Sequence, residues 1–267
     1  QTSIGAHNHR SHRDDGYTLP EPVRLITEYF RDAGYFTANV KTAAPGVKGS
    51  GKTDFNFKFK NAFDGSDWNK RKAGQPFFAQ LSISMTHRGG HWKNLRNQLK
   101  NPVDPAKIKL PPYYPDHPVA REDWATYLNS IQVMDGYIGK ILKRLDDENL
   151  AENTLVIFIG DHGRCHVRGK QWLYDGGIHI PLIIRWPGKL KAGQACDDLV
   201  STIDISATIL KIAGVDLPGH IEGKVFLEPG ANGNYKPVNK HEYIIAARDR
   251  CDETIDRIRC VRDRQYK

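Results

Sequence analysis

Asp161 and His162 stand side by side between Gly160 and Gly163, directly after the apolar run Leu155–Ile159. An oxygen donor next to an imidazole, with glycines on both sides that let the backbone turn closely, is suited to holding a metal ion. Seven residues after Gly163 comes Lys170, and after it Tyr174-Asp175-Gly176-Gly177. A second chemical candidate is His87, in Thr86-His87-Arg88-Gly89-Gly90-His91-Trp92. A histidine in a polar, Gly-rich loop at a strand end can change charge near neutral pH, and His91 competes with it for the role.

The elements around these residues read clearly. Leu155–Ile159 is short, rich in β-branched residues and bounded by polar residues and glycine, which predicts a fully buried strand of a parallel sheet. In open α/β sheets, ligands sit outside the carboxyl ends of such strands, where Asp161 and His162 fall. A second apolar run, Ile180–Trp186, closes on Pro187-Gly188. Upstream, Asp123–Leu150 has apolar residues at helical spacing, with Lys140, Lys143 and Arg144 suiting the C-terminal end of the helix dipole. Helices are also predicted over Glu21–Ala33 and Asp204–Ala213, the latter with N-caps in Ser201–Asp204 and a C-cap at Gly214. Strands are predicted over Tyr35–Val40, Phe77–Met85, Tyr243–Ala247 and Ile258–Val261. Lys93–Glu122, with its many prolines, reads as a long connection, and Pro218–Lys240 as a linker.

The order strand, Asp-His-Gly, polar loop, Gly-Lys, aromatic-acidic-Gly-Gly, Pro-Leu-Ile-Ile-Arg-Trp-Pro-Gly resembles the C-terminal half of the type I, formylglycine-dependent sulfatases of the alkaline phosphatase superfamily. The helix-to-strand passage RDAGYFTANV, Pro76-Phe77-Phe78 and the Met-Asp-Gly-Tyr-Ile-Gly stretch resemble the same family, so the likeness covers nearly the whole chain from Gly5. It implies an α/β fold, a mostly parallel sheet flanked by helices, with the start of a small C-terminal β-rich subdomain. Residues 1–217 are then the catalytic α/β domain lacking its N-terminal part, and 218–267 a linker and partial subdomain. It implies a sulfuric ester hydrolase acting on a sulfated carbohydrate. Asp161 and His162 become metal ligands, with calcium the expected ion, although histidine is less usual for a hard cation. Lys170, five residues before Asp175, becomes a sulfate-binding catalytic lysine, and His87 the general acid to the leaving oxygen. Lys52 matches the family's Gly-Lys lysine. Asp54 stands where the family has histidine, and a carboxylate cannot donate to a sulfate oxygen unless protonated. Asp54, His91, Arg248 and Arg250 are expected substrate contacts, and His7, His9, Arg10 and Arg13 are placed at the mouth of the site.

No Cys- or Ser-x-Pro-Ser-Arg occurs in the 267 residues, so the formylglycine nucleophile and the first Asp-Asp metal pair are expected outside them and the chain alone is expected to be inactive. Net charge is +8, but the basic residues are dispersed and carry no nucleic-acid motif; a sulfated polyanion fits the same charge. No apolar run approaches about 18 residues, which excludes a transmembrane helix. Secretion or periplasmic placement follows from the resemblance. The four cysteines lack CxxC spacing; Cys251 and Cys260 are either a pair or two thiols. Two readings stay open beside the sulfatase: a phosphodiesterase or phosphonate hydrolase of the same superfamily, and a non-catalytic homologue that binds anionic glycans.

Overall fold

The computed structural model describes residues 18–42, 49–53, 57, 59–90, 92–251 and 254–267, the side chains of Ala231, Arg250 and Cys251 excepted. The described residues divide into two compact units, one of residues 18–40, 49–53, 57, 59–80, 152–251 and 254–267, the other of residues 41–42, 81–90 and 92–151.

The first unit opens with α1 (Ile26–Asp32), shorter than the predicted 21–33. The Pro20–Val23 segment closes on itself as a turn, with the Val23 N–H on the Pro20 carbonyl, and the helix starts where Glu28 reaches back to the Leu25 N–H at 2.9 Å. Then follows β1 (Phe36–Val40), which is paired with β2 (Phe77–Leu81). Thr37, Ala38, Asn39 and Val40 are all buried, and Asp64 accepts from both the N–H and the hydroxyl of Thr37. Apolar side chains close over this strand pair: Phe30 stacks on Phe78 at 4.5 Å, and buried Trp68 stacks on Phe77 at 5.8 Å.

Further along the same unit, β3 (Val156–Ile159), α3 (Asp175–Ile178) and β4 (Leu182–Arg185) carry the Asp-His-Gly loop. Here the structure corrects one expectation. β3 pairs with β4 antiparallel, Val156 opposite Arg185 and Ile159 opposite Leu182; Val156, Ile157 and Phe158 are half-buried and Ile159 is exposed. The reason is the connection. A parallel neighbour needs a crossover that carries the chain back along the sheet. Between β3 and β4, residues 160–181 fold into a loop and the short α3 that leave and re-enter at the same end of the strand pair, where the Gly160 N–H meets the Pro181 carbonyl.

α4 (Thr202–Ile212) begins on a capping box in which Asp204 accepts from the Ser201 N–H at 2.7 Å. Asp204 is fully buried and also accepts from the Lys224 N–H at 2.8 Å, with His241 Nε2 at 2.8 Å. Thr208 on the next turn receives the buried Phe226 N–H. Two antiparallel hairpins complete the unit: β5 (Leu227–Pro229) with β6 (Tyr235–Pro237), inside the predicted linker, and β7 (Ile244–Cys251) with β8 (Thr254–Arg262). In the second hairpin Cys260 lies opposite Ala246 and Cys251 opposite Thr254, so the two cysteines do not face each other and Cys260 is a free thiol.

The second unit is built on α2 (Pro118–Asp147). It starts five residues before the predicted Asp123, because Pro118 occupies the first helical position and His117 caps it, accepting from the Val119 N–H. Short 3₁₀ turns at Trp92–Gln98 and Pro105–Lys107 lie in the stretch read as a connection. Trp92, Leu95, Ile108, Ala125 and Leu145 are buried in this unit, and buried Asn129 accepts from the Val103 N–H at 2.8 Å. Among the described residues no helix is long and apolar enough to cross a membrane.

Candidate functional site

The loop between β3 and β4 is wrapped so tightly that only glycine fits at its crossing points. An added Cβ on Gly163 would lie 1.9 Å from the Gly176 carbonyl oxygen, and one on Gly177 would lie 2.0 Å from that of Trp172. The crossing is tied by the Gly163 N–H on the Gly177 carbonyl at 3.0 Å, and the Lys170 N–H donates to the Arg164 carbonyl at 2.7 Å. Asp161, His162 and Lys170 thus belong to one backbone knot at the C-terminal end of β3.

Asp161 points outward, its side chain 87% exposed. One carboxylate oxygen accepts the His162 N–H at 3.0 Å, and the other lies 3.5 Å from His162 Nε2. His162 Nδ1 is 2.8 Å from the Gly163 carbonyl oxygen. A carbonyl can only accept, so Nδ1 is the donor in that contact and Nε2 is the ring nitrogen that faces the carboxylate. A metal-bound histidine is oriented in the same way, its second ring nitrogen donating to a carbonyl. The pair therefore fits a divalent cation as two donors of a larger shell. Among the described residues no third His, Cys, Asp or Glu joins them.

Lys170 is exposed, and next to it Gln171 takes a left-handed backbone conformation, φ 72°. Asp175 opens α3 and is ion-paired to Arg262 at 3.0 Å and to Lys267 at 2.7 Å. The Lys267 hydrogen bond, followed by the Lys267, Arg262 and His179 charges, holds the Asp175 carboxyl below its ordinary pKa. Arg248 on β7 is buried: one guanidinium nitrogen donates to the Gln171 carbonyl at 2.7 Å, the other engages Asp256 on β8, and the group lies 4.4 Å over the Trp172 ring. Arg250 pairs across the hairpin with Ile255, and its side chain lies outside the described residues.

Lys52 is exposed at the end of a short ladder beside β1, where Val40 bridges Ser50 and the Asn39 side chain donates to the Gly51 carbonyl at 3.0 Å. His87 is exposed in the second unit, its N–H on the Ser84 carbonyl. Its neighbour Arg88 grips Asp123 of α2 through two hydrogen bonds, at 2.6 and 3.1 Å. Asp54, His91, His7, His9, Arg10 and Arg13 lie outside the described residues. The ties from Arg262 and Lys267 to Asp175 were not foreseen; they join residues 87 and 92 positions apart, and no local pattern announces them.

A sequence model of the sulfatase family matches residues 60–215, more than half of the chain. The chain belongs to the sulfatase family. This sulfatase chain is 33% identical over 286 aligned positions to an ulvan-active sulfatase of Formosa agariphila, covering 93% of the chain and 45% of that protein. It is 31% identical to the steryl-sulfatase of Mus musculus over 140 positions, covering 44% of the chain and 22% of the relative. The sulfatase chain thus spans less than half the length of the curated relatives it matches. Among solved structures, one from the Bacteroides thetaiotaomicron locus for metabolism of multiple glycosaminoglycans superposes with a TM-score of 0.56 at 20% identity, over 95% of the chain and 72% of its own length. Another, in complex with its substrate D-glucosamine-2-N,6-O-disulfate, gives 0.58 at 15% identity over 93% and 73%. These likenesses establish the fold class, the α/β, alkaline phosphatase-like fold of the sulfatases.

Proposed function

We propose that this chain is part of a sulfuric ester hydrolase that removes sulfate from a sulfated carbohydrate. The observation that carries it is the knot of Asp161, His162 and Lys170 at the end of β3, in a member of the sulfatase family. The relatives' names, an ulvan-active sulfatase and a disulfated glucosamine complex, support the carbohydrate class. Sulfate ester cleavage spreads negative charge over the sulfuryl oxygens and onto the departing alcohol oxygen. A divalent cation, calcium in this proposal, held by Asp161 Oδ and His162 Nε2 would neutralise part of that charge. Lys170 and Lys52 donate to sulfuryl oxygens, and His87 protonates the leaving oxygen. Arg250, Asp54 and His91 stand as proposed substrate contacts; Arg248, also expected to meet the substrate, is buried against Gln171, Trp172 and Asp256 and is treated below. The formylglycine nucleophile is proposed to lie outside these 267 residues. Residues 1–217 form the proposed catalytic part and 218–267 the linker and β-rich part, in a secreted or periplasmic protein.

The test is release of inorganic sulfate from ulvan and from sulfated glucosamine by the protein expressed from its complete reading frame. A phosphodiester and a phosphonate monoester are run beside them. Sulfate release with slow or absent phosphoryl hydrolysis supports the proposal. The reverse preference sinks it in favour of phosphoryl transfer, and binding of ulvan without turnover sinks it in favour of a glycan-binding homologue.

A further inference from the structure

Arg248 was expected to meet the substrate, yet it is only 6% exposed and both terminal nitrogens of its guanidinium are engaged inside the protein. We infer that Arg248 is a positioning residue: it clamps the β7–β8 hairpin onto the Gln171–Trp172 segment and so fixes the backbone that presents Lys170. This inference rests on the reading of Lys170 as a sulfate-binding residue.

Three contacts converge on one planar group. The Gln171 carbonyl accepts at 2.7 Å, the Asp256 carboxylate takes the other guanidinium nitrogen, and the Trp172 ring lies 4.4 Å beneath. The Arg248 carbonyl in turn accepts from Arg259 at 3.0 Å, which holds the clamp's own backbone across the hairpin. The register shifts between Arg248 and Arg250, so the strand is locally reshaped where the clamp sits. On the other side, Gln171 is a non-glycine residue in the left-handed region. Such a conformation persists where its surroundings over-determine it. Its carbonyl is held by Arg248, and its neighbours by the Lys170-to-Arg164 and Trp172-to-Gly169 hydrogen bonds. A second tie from the same hairpin, Arg262 to Asp175, fixes the loop four residues on from Gln171.

The geometry demands arginine. A rigid fork can donate in two directions and stack its face on an indole at once; an ammonium is a point charge and cannot make the three contacts together. Arg248→Lys therefore keeps the buried charge while losing the fork, and is the informative variant should Arg248→Ala fail to fold. Asp256→Asn is the second variant, since it weakens one contact and leaves the guanidinium in place.

Hydrogen exchange is measured on the 267-residue chain at the Lys170, Trp172 and Gly177 amides, with α4 amides as reference. In Arg248→Lys these loop amides exchange at least about tenfold faster while α4 is unchanged. In the protein from the complete reading frame, kcat on the sulfate ester falls about 10- to 100-fold with KM changed less than about threefold, since misplacement of a group by about 1 Å costs on the order of 100-fold. Asp256→Asn shifts both readouts in the same direction by less. Unchanged exchange in Arg248→Lys overturns the clamp even if Lys170→Ala abolishes hydrolysis. Faster exchange, with hydrolysis untouched by Lys170→Ala, overturns the positioning role and the assignment of Lys170 together.

Discussion

Gly177→Ala places a methyl group where two carbonyl oxygens already are. The added Cβ falls 2.0 Å from the Trp172 oxygen and 2.4 Å from the Gly169 oxygen. Carbon and oxygen in weak contact sit about 3.3–3.6 Å apart. Both obstacles are backbone atoms, so no side-chain rotation relieves the clash and the two arms of the loop must part by roughly 1 Å. Overpacking costs about 1–3 kcal/mol, and the rigid obstacle puts this site at the upper end. Parting the arms also strains the Gly163-to-Gly177 and Gly177-to-Tyr174 hydrogen bonds, each worth about 1 kcal/mol. Each kcal/mol moves the melting temperature of a chain this size by about 2–4 °C. Thermal unfolding followed by circular dichroism should show Tm lower by about 6–12 °C. A fall of less than about 1 °C would refute the reasoning, because it would mean the loop has room for a side chain at its tightest crossing.

Opposite behaviour is expected of Gly136→Ala and Gly139→Ala on α2, where an added Cβ meets nothing within 4 Å; each should stabilise by roughly 0.5–1 kcal/mol in urea unfolding, since glycine weakens a helix interior. Asn129→Leu leaves the Val103 N–H without its acceptor in a buried setting and should cost about 1–3 kcal/mol, read as a lower urea midpoint at unchanged slope. The Asp175 carboxyl is held below its ordinary pKa, so its pairs with Lys267 and Arg262 stabilise above the unfolded-state pKa and are lost as pH falls through the lower folded value. The difference in Tm between wild type and Asp175→Asn should therefore be present at pH 6–7 and shrink progressively as pH falls below the ordinary carboxylate range; because the carboxylate side chain is 53% exposed, it corresponds to at most about 1 kcal/mol.

What could be read from the sequence was local. The β3 run, the Asp161-His162-Gly163 turn and the Gly-Lys and Asp-Gly-Gly spacings lie within one stretch, and the structure draws that stretch into one knot. The helical stripe of α2 was legible too, but not its first turn, because Pro118 reads as a breaker and in fact occupies the first helical position. The antiparallel return of β3 onto β4 was hidden: an apolar run announces a strand but not the direction of its neighbour. Arg248 shows the largest gap. Its role depends on a carbonyl 77 residues away, and an arginine that binds an anion and one that clasps its own backbone look alike in sequence.

The most direct measurement is kcat/KM for sulfate release by the protein from its complete reading frame carrying Lys170→Ala, with exposed Lys191→Ala as the comparison. Removing one donor to a developing oxyanion costs on the order of 10²–10³. The account predicts a loss of that size in Lys170→Ala and wild-type rates in Lys191→Ala. Equal rates in the two variants would contradict it, because the lysine held in the loop after β3 would then play no part in handling sulfate.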